Sequence, residues 1–231
     1  NNVTSEYDEY FVDGLTYSDM AEGNLSLYEK MKVGLNSIYS FNAAKKLREL
    51  IRISKPDIIH THSIPYRLTS SVIDAARKEN IPVVHTCHEW KALCPNQRLF
   101  KSNPPMICEK CKNHKFYNVV KEKCVKGSLC GSILGCIEAY LCYFRGTYSS
   151  KIDKFIAPSV FVKRTMEEYG FDSNKIAYIP HFINPDKFLP RYDFDNYIIY
   201  YGHLTPQKGI KTLVNAMKMV PNTSLLIIGD G

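Results

Sequence analysis

The chain has 231 residues, of which 45% are hydrophobic and 12% aromatic. This composition is typical of a globular protein and excludes a disordered or fibrous one. The formal net charge is +7, and residues 91–130 alone account for it, since they hold nine basic side chains against Glu109 and Glu122. A polyanion or an anionic membrane surface is a candidate partner for that segment, with a solvated face as the alternative. No nucleic-acid partner is expected.

Neither a signal peptide nor a membrane span is predicted. The most apolar run, residues 131–144, is short and contains Glu138. The chain begins at Asn1 and stops at Gly231, directly after an apparent strand and a glycine-rich turn, so both ends look cut. We therefore expect a piece of a longer cytoplasmic protein, inactive by itself, whose whole form is peripheral on the inner face of the membrane.

The first half of the chain alternates helices and strands. Residues 28–53 place apolar side chains at helical spacing, and the strand "DIIHTHS" follows a proline. A helix over "YRLTSSVIDAARKEN" and a strand over "IPVVHTC" come next. This order predicts parallel strands with crossover helices. Residues 91–130 interrupt it with three prolines, many lysines and five cysteines, and are predicted to form an irregular insertion.

Regular structure is predicted again from residue 131. Residues 131–148 favour a helix with one apolar stripe, which we expect to be buried: Ile133, Ile137, Leu141 and Phe144. A strand over "KIDKFIAPS", a helix, and a strand over "KIAYIPHFIN" follow. Residues 184–196 suit a connection between domains. The strand "YIIYYG", a helix over residues 208–219 and the strand "SLLIIG" then begin a second parallel sheet. The predicted domains are residues 1–180 and 181–231.

Ligands gather at the carboxyl ends of strands in open parallel sheets. Three candidates follow such strands: His60 with His62, His88, and the turn from Gly202 to Lys208. For His60 and His62, a structural role at the strand end is the leading interpretation. In the turn, Gly202 permits a tight exit from the strand, Gly209 permits close approach, and the first amides of the next helix are free to bind phosphate. An ordinary surface turn is the alternative.

The succession "PDIIHTHS", "PVVHTCHEW", "IAPSVFVKRTMEEYGF", "KIAYIPHFINPDKF", "YYGHLTPQKGIKTLVNAM" and "LLIIGDG" resembles the family 4 retaining glycosyltransferases. The resemblance covers about residues 45–90 and 150–231. It implies a GT-B architecture, in which two Rossmann-like α/β domains face each other across a cleft. Both domains would be incomplete here. The first would lie on the acceptor side, and the second would bind the nucleotide sugar.

The resemblance also implies roles for individual residues. Lys208 would contact the donor diphosphate. His203 stands where the family usually has arginine, and an imidazole is mostly neutral at neutral pH whereas a guanidinium is always charged. His88 matches the histidine that the family carries near the transferred sugar. A histidine satisfied at a strand end is the alternative there.

The implied activity is a hexosyltransferase-type transfer of sugar from a nucleotide-diphosphate sugar to a saccharide or lipid-linked acceptor. Such a reaction would serve cell-surface polysaccharide or glycolipid synthesis, retain anomeric configuration and need no divalent metal. A noncatalytic GT-B subunit is one alternative, which the histidine at 203 favours. A sugar-nucleotide epimerase of the same architecture is another.

Eight cysteines in a cytosolic chain argue against a disulfide framework. Four of them, in the order Cys94, Cys108, Cys111 and Cys124, form a C-x13-C-x2-C-x12-C pattern that suits a structural zinc ion. Cys130 or His114 is an alternative ligand, and free reduced thiols are the alternative to a metal site. Cys136 and Cys142 lie in the predicted apolar helix and are expected to pack, while Cys87 belongs to a strand.

Overall fold

The computed structural model describes residues 5–12, 26–65, 67–102, 104–189, 192–193, 195–205 and 208–231. The chain divides into two compact units, Asn1–His181 and Phe182–Gly231. In the connection predicted at residues 184–196, Pro190, Arg191 and Phe194 lie outside the described residues.

The first unit is built on a four-stranded parallel sheet with flanking helices. Its helices are α1 (Leu27–Ile38), α2 (Phe41–Ser54), α3 (Ser71–Lys78), α4 (Asn118–Lys121), α5 (Leu129–Phe144) and α6 (Val160–Glu168). Its strands are β1 (Ile59–His62), β2 (Val83–Thr86), β3 (Phe100–Ser102), β4 (Pro105–Ile107), β5 (Lys154–Ala157) and β6 (Ile176–Tyr178). The main sheet has the order β1-β2-β5-β6, and every neighbouring pair is parallel. The predicted α/β class with a parallel sheet is confirmed.

The helix predicted over residues 28–53 is two helices. The break falls at Tyr39 and Ser40, which have extended backbone conformations. The Ser40 side chain caps α2 by accepting a hydrogen bond from the Ala43 amide, and the Ser40 amide donates to Thr69 Oγ1 at 3.0 Å. A cap satisfies an amide that the first turn of a helix leaves unpaired, so the serine stabilises a new helix start.

The core of this unit lies between the sheet and its helices. Its largest fully buried side chains include Phe155 on β5, Ile73 on α3, Met166 on α6 and Ile152 before β5. Asp74 of α3 is a buried carboxylate that links two parts of this unit through ion pairs. Arg145 and Lys151 both donate to Asp74, and together they join α3 to the segment that leads from α5 into β5.

The insertion at residues 91–130 has more regular structure than predicted. Strands β3 and β4 form an antiparallel hairpin, and α4 is a short helix. Asn103, at the hairpin tip, lies outside the described residues. The segment has few deeply buried apolar side chains: Leu93, Leu99, Cys111, Phe116 and Val119.

The prediction of which face of α5 is buried is wrong. Ile133, Ile137 and Phe144 are 41%, 49% and 78% exposed. The buried face instead carries Glu138, whose carboxylate lies 2.5 Å from the Lys91 ammonium, and both side chains are nearly inaccessible. Because α5 is apolar around most of its circumference, periodicity alone does not identify the face that meets the core. Cys142 is buried on this face, as expected of a packing residue.

The second unit contains β7 (Tyr197–Tyr201), α7 (Ile210–Met217) and β8 (Ser224–Ile228). Strands β7 and β8 pair in parallel, with Tyr197 opposite Ser224 and Tyr201 opposite Ile228. This is the predicted strand, helix and strand, although the helix is shorter than residues 208–219. None of the helices in the described part of the chain combines the length and apolar character needed to cross a lipid bilayer.

His85 on β2 points into the core and makes the fold sensitive to acid. It is 4% exposed, and its Nδ1 lies 2.9 Å from Thr61 Oγ1. Burial, and after it the charges of His62, His88 and His60, lower the pKa of His85 from 6.5 to about 4. The unfolded chain therefore binds a proton here at a higher pH than the folded chain does. The stabilising contribution is complete above pH 6.5 and is lost as the pH falls toward about 4.

We predict that, below neutral pH, the unfolding free energy of His85→Gln depends less on pH than that of the natural protein does. Between neutral pH and about pH 4, the unfolding free energy of the natural protein should fall by about 2 to 3 kcal/mol more than that of the variant. Denaturant unfolding at both pH values measures the difference. His114→Gln, at an exposed histidine of the insertion, is the control. Its unfolding free energy should change with pH as that of the natural protein does. An equal loss of unfolding free energy between the two pH values in the natural protein and in His85→Gln would contradict this role of His85.

Candidate functional site

The carboxyl edge of the main sheet carries a row of histidines. His62 is the last residue of β1, and His88 follows β2 by two residues. The Cys87 amide donates to the Ile156 carbonyl at 2.9 Å, so pairing with β5 continues beyond the end of β2. As a result His62 Nδ1 and His88 Nε2 lie 2.8 Å apart, with the two rings stacked at a centroid distance of 5.1 Å.

A third histidine extends the row. His181 follows β6, and its ring stacks on that of His88 with centroids 5.4 Å apart and planes 10° apart. The Ile179 amide donates to the Ala157 carbonyl at 3.1 Å, which keeps the chain against β5 up to that point. His88 thus stands between His62 and His181, and all three side chains are exposed. Sequence reasoning missed His181, although its position after a third parallel strand was an available signal.

His60 supports the row from β1. Its Nε2 lies 2.8 Å from Thr86 Oγ1, and its ring centroid lies 4.1 Å from that of His62. Burial lowers the pKa of His60 below its ordinary value, and the charges of His62 and His88 lower it further. A hydrogen bond between two imidazoles needs a lone pair on one of them, so both cannot be protonated at once. At least one ring of the His62–His88 pair is therefore neutral, and a neutral imidazole can both donate and accept a hydrogen bond.

A hydrogen bond also joins the loops after β1 and β2, next to the histidine row. Ser63 Oγ donates to Glu89 Oε2 at 3.0 Å. Because Ser63 and Glu89 each adjoin one of the histidines, this hydrogen bond limits how far His62 and His88 can separate.

The turn from Gly202 to Lys208 in the second unit, the glycine turn, has its backbone close to that of the segment after β8. Gly202 has φ 141° and Gly229 has φ 151°, and a Cβ on Gly229 would lie 2.0 Å from the Gly202 carbonyl oxygen. The Gly202 amide donates to the Ile228 carbonyl at 3.0 Å, and the Leu204 amide to the Asp230 carbonyl at 2.8 Å. The ends of β7 and β8 are therefore packed backbone against backbone, with no room for a side chain.

The charged residues of this turn are exposed. His203 Nδ1 lies 3.5 Å from Asp230 Oδ1, and the Tyr200 hydroxyl donates to the His203 carbonyl. Lys208 is exposed, and its amide donates to the Thr205 carbonyl at 3.0 Å. Gly209, with φ 72°, is the N-cap of α7 and has no side chain to occupy the amides of the first turn. Pro206 and Gln207 lie outside the described residues.

All eight cysteines are free thiols, including the predicted metal ligands Cys94, Cys108, Cys111 and Cys124. Within the described ranges, no group of three or more His, Cys, Asp or Glu side chains already stands in a metal-binding arrangement.

Comparison with known proteins identifies a matching family model and several similar proteins. Residues 27–116 match the family model Glycosyltransferase Family 4. A curated relative, described as an uncharacterized 42.6 kDa protein in the cps region of Klebsiella pneumoniae, is 32% identical over 72 residues. That alignment covers 31% of this chain and 19% of the relative.

Two solved structures are similar at low identity. The lipopolysaccharide outer core galactosyltransferase WaaB in its apo form is 15% identical with a TM-score of 0.42, over 90% of this chain and 44% of WaaB. UDP-N-acetylglucosamine 2-epimerase from Rickettsia bellii is 13% identical with a TM-score of 0.36, over 94% of this chain and 53% of the epimerase. At these TM-scores neither structure supports an argument about this chain.

The match to the Glycosyltransferase Family 4 model over residues 27–116 agrees with the resemblance predicted from the sequence. This region includes β1, β2 and three of the four histidines at the sheet edge. The chain spans about half or less of the length of the proteins that it matches.

We predict that the titration of His60 depends on burial and on its histidine neighbours. His60 should titrate below pH 6.5, and His62→Gln should move its pKa upward because one neighbouring positive charge is removed. The shift should be incomplete, since burial is the larger cause. Imidazole NMR signals followed through a pH titration measure this, with His114→Gln as the control that leaves His60 unchanged. A His60 pKa at or above 6.5 in the natural protein would refute the coupling.

Proposed function

We propose that the protein is a glycosyltransferase of the hexosyltransferase type that transfers a sugar from a nucleotide-diphosphate sugar to a saccharide or lipid-linked acceptor. The observation that carries the proposal is the histidine row at the carboxyl edge of a parallel sheet, within a family 4 region. The relative encoded in a cps region supports a place in cell-surface polysaccharide or glycolipid synthesis.

His88 is proposed to act on the transferred sugar. Its imidazole is held between the rings of His62 and His181, so its plane is set before any ligand arrives. A neutral imidazole in this position accepts a hydrogen bond from a sugar hydroxyl and stabilises the positive charge that develops on the sugar ring. His62 and His181 serve as positioning residues, because each acts through its contact with His88.

The second unit is proposed to stabilise the departing diphosphate. Lys208 supplies a point charge, and the uncapped amides at the start of α7 supply hydrogen bonds directed at the same anion. Gly202 and Gly209 keep side chains away from it. The acceptor hydroxyl attacks from the face that the nucleotide leaves, and its proton passes to the diphosphate. This route retains anomeric configuration and requires no divalent metal.

His203 is proposed to contribute less to donor binding than the arginine usual at this position in the family would. Asp230 Oδ1 lies 3.5 Å from the imidazole, so a protonated His203 has an anionic neighbour that competes with the diphosphate for its charge. A neutral His203 contributes no charge at all. This arrangement favours the noncatalytic alternative more than any other feature of the described residues does.

The first unit, which would bind the acceptor, is proposed to face an anionic membrane surface from the cytoplasm. The insertion contributes an excess of lysines, and the face of α5 that carries Ile133, Ile137 and Phe144 is exposed beside it. Basic and apolar side chains together favour peripheral binding to anionic lipid. A lipid-linked acceptor would be presented at such a surface.

We predict that Lys208→Ala in the full-length protein weakens binding of the nucleotide sugar at least tenfold, which corresponds to about 1.4 kcal/mol. The reason is the loss of a charge paired with the diphosphate. Isothermal titration calorimetry with UDP- and GDP-sugars measures the affinity.

Lys218→Ala is the matched control for this prediction. It removes an exposed lysine at the opposite end of the same helix and should leave the affinity unchanged. Unchanged binding in Lys208→Ala, or an equal loss in both variants, would show that Lys208 has no specific phosphate role.

A further inference from the structure

We propose that the first unit contains a second ligand site, which binds a neutral saccharide about the size of a disaccharide. The site is a cavity of about 510 Å³ between the insertion, α5 and the segments that lead into β5 and β6, here called the aromatic cavity. The class of ligand follows from the chemistry of the lining. The role of the site, which is to hold one segment of the acceptor glycan while another segment reaches the histidine row, rests on the proposed function.

The aromatic cavity reaches the edge of the sheet opposite to the histidine row. Its lining includes Ser149, which precedes β5, and part of the segment 169–175, which precedes β6. Because the strands of the main sheet are parallel, residues that precede them lie at the amino edge, whereas the histidine row lies at the carboxyl edge. Lys91 and Ala92 are the lining residues nearest to the row in sequence. The cavity is thus separate from the position proposed for the transferred sugar.

Aromatic side chains form much of the wall. Within the described part of the chain, six of them line the cavity: Phe116, Tyr143, Tyr148, Phe155, Tyr169 and Phe171. Phe155 and Phe171 meet edge to face with ring centroids 5.4 Å apart, and the centroids of His114 and Tyr143 are 4.1 Å apart. The face of an aromatic ring carries partial negative charge, which attracts the C–H groups of a sugar ring. The wall therefore suits a saccharide as well as an apolar molecule.

The charged side chains of the lining balance one another, which favours a ligand without net charge. Among the described lining residues, Lys91 and Lys175 are basic, and Glu138 and Asp172 are acidic. Glu138 is paired with Lys91 at 2.5 Å, and Lys175 Nζ donates to two backbone carbonyls. An ionic ligand would have to displace these partners or enter without a counter-ion, and both are costly. Phosphates, sugar acids and ammonium compounds are thus disfavoured.

The Tyr169 hydroxyl distinguishes a saccharide from a lipid chain as the occupant. This hydroxyl is buried and has no hydrogen-bond partner among the described residues. Burial is the main cause that raises the pKa of Tyr169 to about 12, so the hydroxyl keeps its proton at neutral pH and can donate. A buried hydroxyl without a partner is costly. A hydroxyl of the ligand would remove that cost, whereas an alkyl chain would not.

The other polar groups of the lining supply the donors and acceptors that sugar hydroxyls need. Glu138 is buried, and its Oε1 accepts from the Cys142 thiol at 3.5 Å, a weak contact that leaves lone pairs for a ligand. Asn113 and His114 are exposed, and an amide or a neutral imidazole both donates and accepts. Since a sugar hydroxyl also does both, this mixture matches a saccharide better than a ligand that only donates or only accepts.

The volume of the cavity sets the size of the ligand. Small-molecule sites in proteins are commonly about 300–1,000 Å³. A cavity of about 150 Å³ holds one benzene molecule, so about 510 Å³ can hold on the order of 20 non-hydrogen atoms. A disaccharide has about this number.

A printed array of neutral and acidic oligosaccharides, probed with the full-length protein in the absence of any nucleotide sugar, tests the proposal. We expect binding to at least one neutral oligosaccharide of two or more sugar residues. No binding, or binding confined to acidic oligosaccharides, would overturn it.

Two variants then test whether the saccharide occupies the aromatic cavity. Ala139→Leu adds volume at a lining residue of α5, and Tyr169→Phe removes only the buried hydroxyl. Each should weaken binding of the oligosaccharide found on the array by about fivefold or more in isothermal titration calorimetry. Because the hydroxyl has no partner to lose among the described residues, Tyr169→Phe should not lower the thermal unfolding midpoint. Unchanged binding in either variant would overturn the site.

Tyr117→Phe is the matched control, at an exposed tyrosine of the insertion outside the cavity lining. It should bind the oligosaccharide as the natural protein does. His88→Gln and Lys208→Ala should also bind it normally, so a failure of this proposal is distinguishable from a failure of the proposed sugar transfer. A loss in His88→Gln equal to that in Tyr169→Phe would place the saccharide at the histidine row and overturn the proposal.

Discussion

The parallel pairing of β2 with β1 on one side and β5 on the other is the constraint from which the rest of the structure follows. Because the three strands run in the same direction, the residues that follow them meet at one edge of the sheet. His62 and His88 come together there, and the pairing of β6 with β5 adds His181. The alternation of side chains along β2 sends His85 into the core while His88, beyond the strand, reaches solvent. One short strand thus places a buried neutral imidazole and an exposed one within four residues of each other.

The insertion depends on a different kind of interaction. Leu93 and Leu99 pack in the main core, and Phe116 packs against α5. Ion pairs add to these contacts: Lys91 with Glu138 joins the insertion to α5, and Glu122 pairs with two lysines inside the insertion. An ion pair restricts the orientation of its two side chains, but it contributes modest stability when it is partly exposed. When the pair is buried, the cost of desolvation offsets much of the attraction.

Much of the fold could be predicted from the sequence because its signals are local. Short apolar runs that follow a proline or end at a proline or glycine indicated β1, β2, β5 and β7, and their alternation with helices indicated parallel pairing. His88 could be predicted because it follows such a run. His181 also lies at the end of a predicted strand, but only the order of the strands in the sheet shows that it reaches His88. The break at Ser40 and the buried face of α5 depend on Thr69 and Lys91, which are distant in sequence, so no local periodicity reveals them.

The proposed activity is the transfer of a sugar by the whole protein, with His88 at the sugar and Lys208 at the diphosphate. The most direct test measures nucleotide release by the full-length protein from a panel of UDP- and GDP-sugars, with and without saccharide and lipid-linked acceptors. The account predicts that at least one donor releases its nucleotide at a rate that rises with acceptor concentration. Release that is indifferent to acceptor, or no release from any donor, would contradict it and favour the noncatalytic subunit.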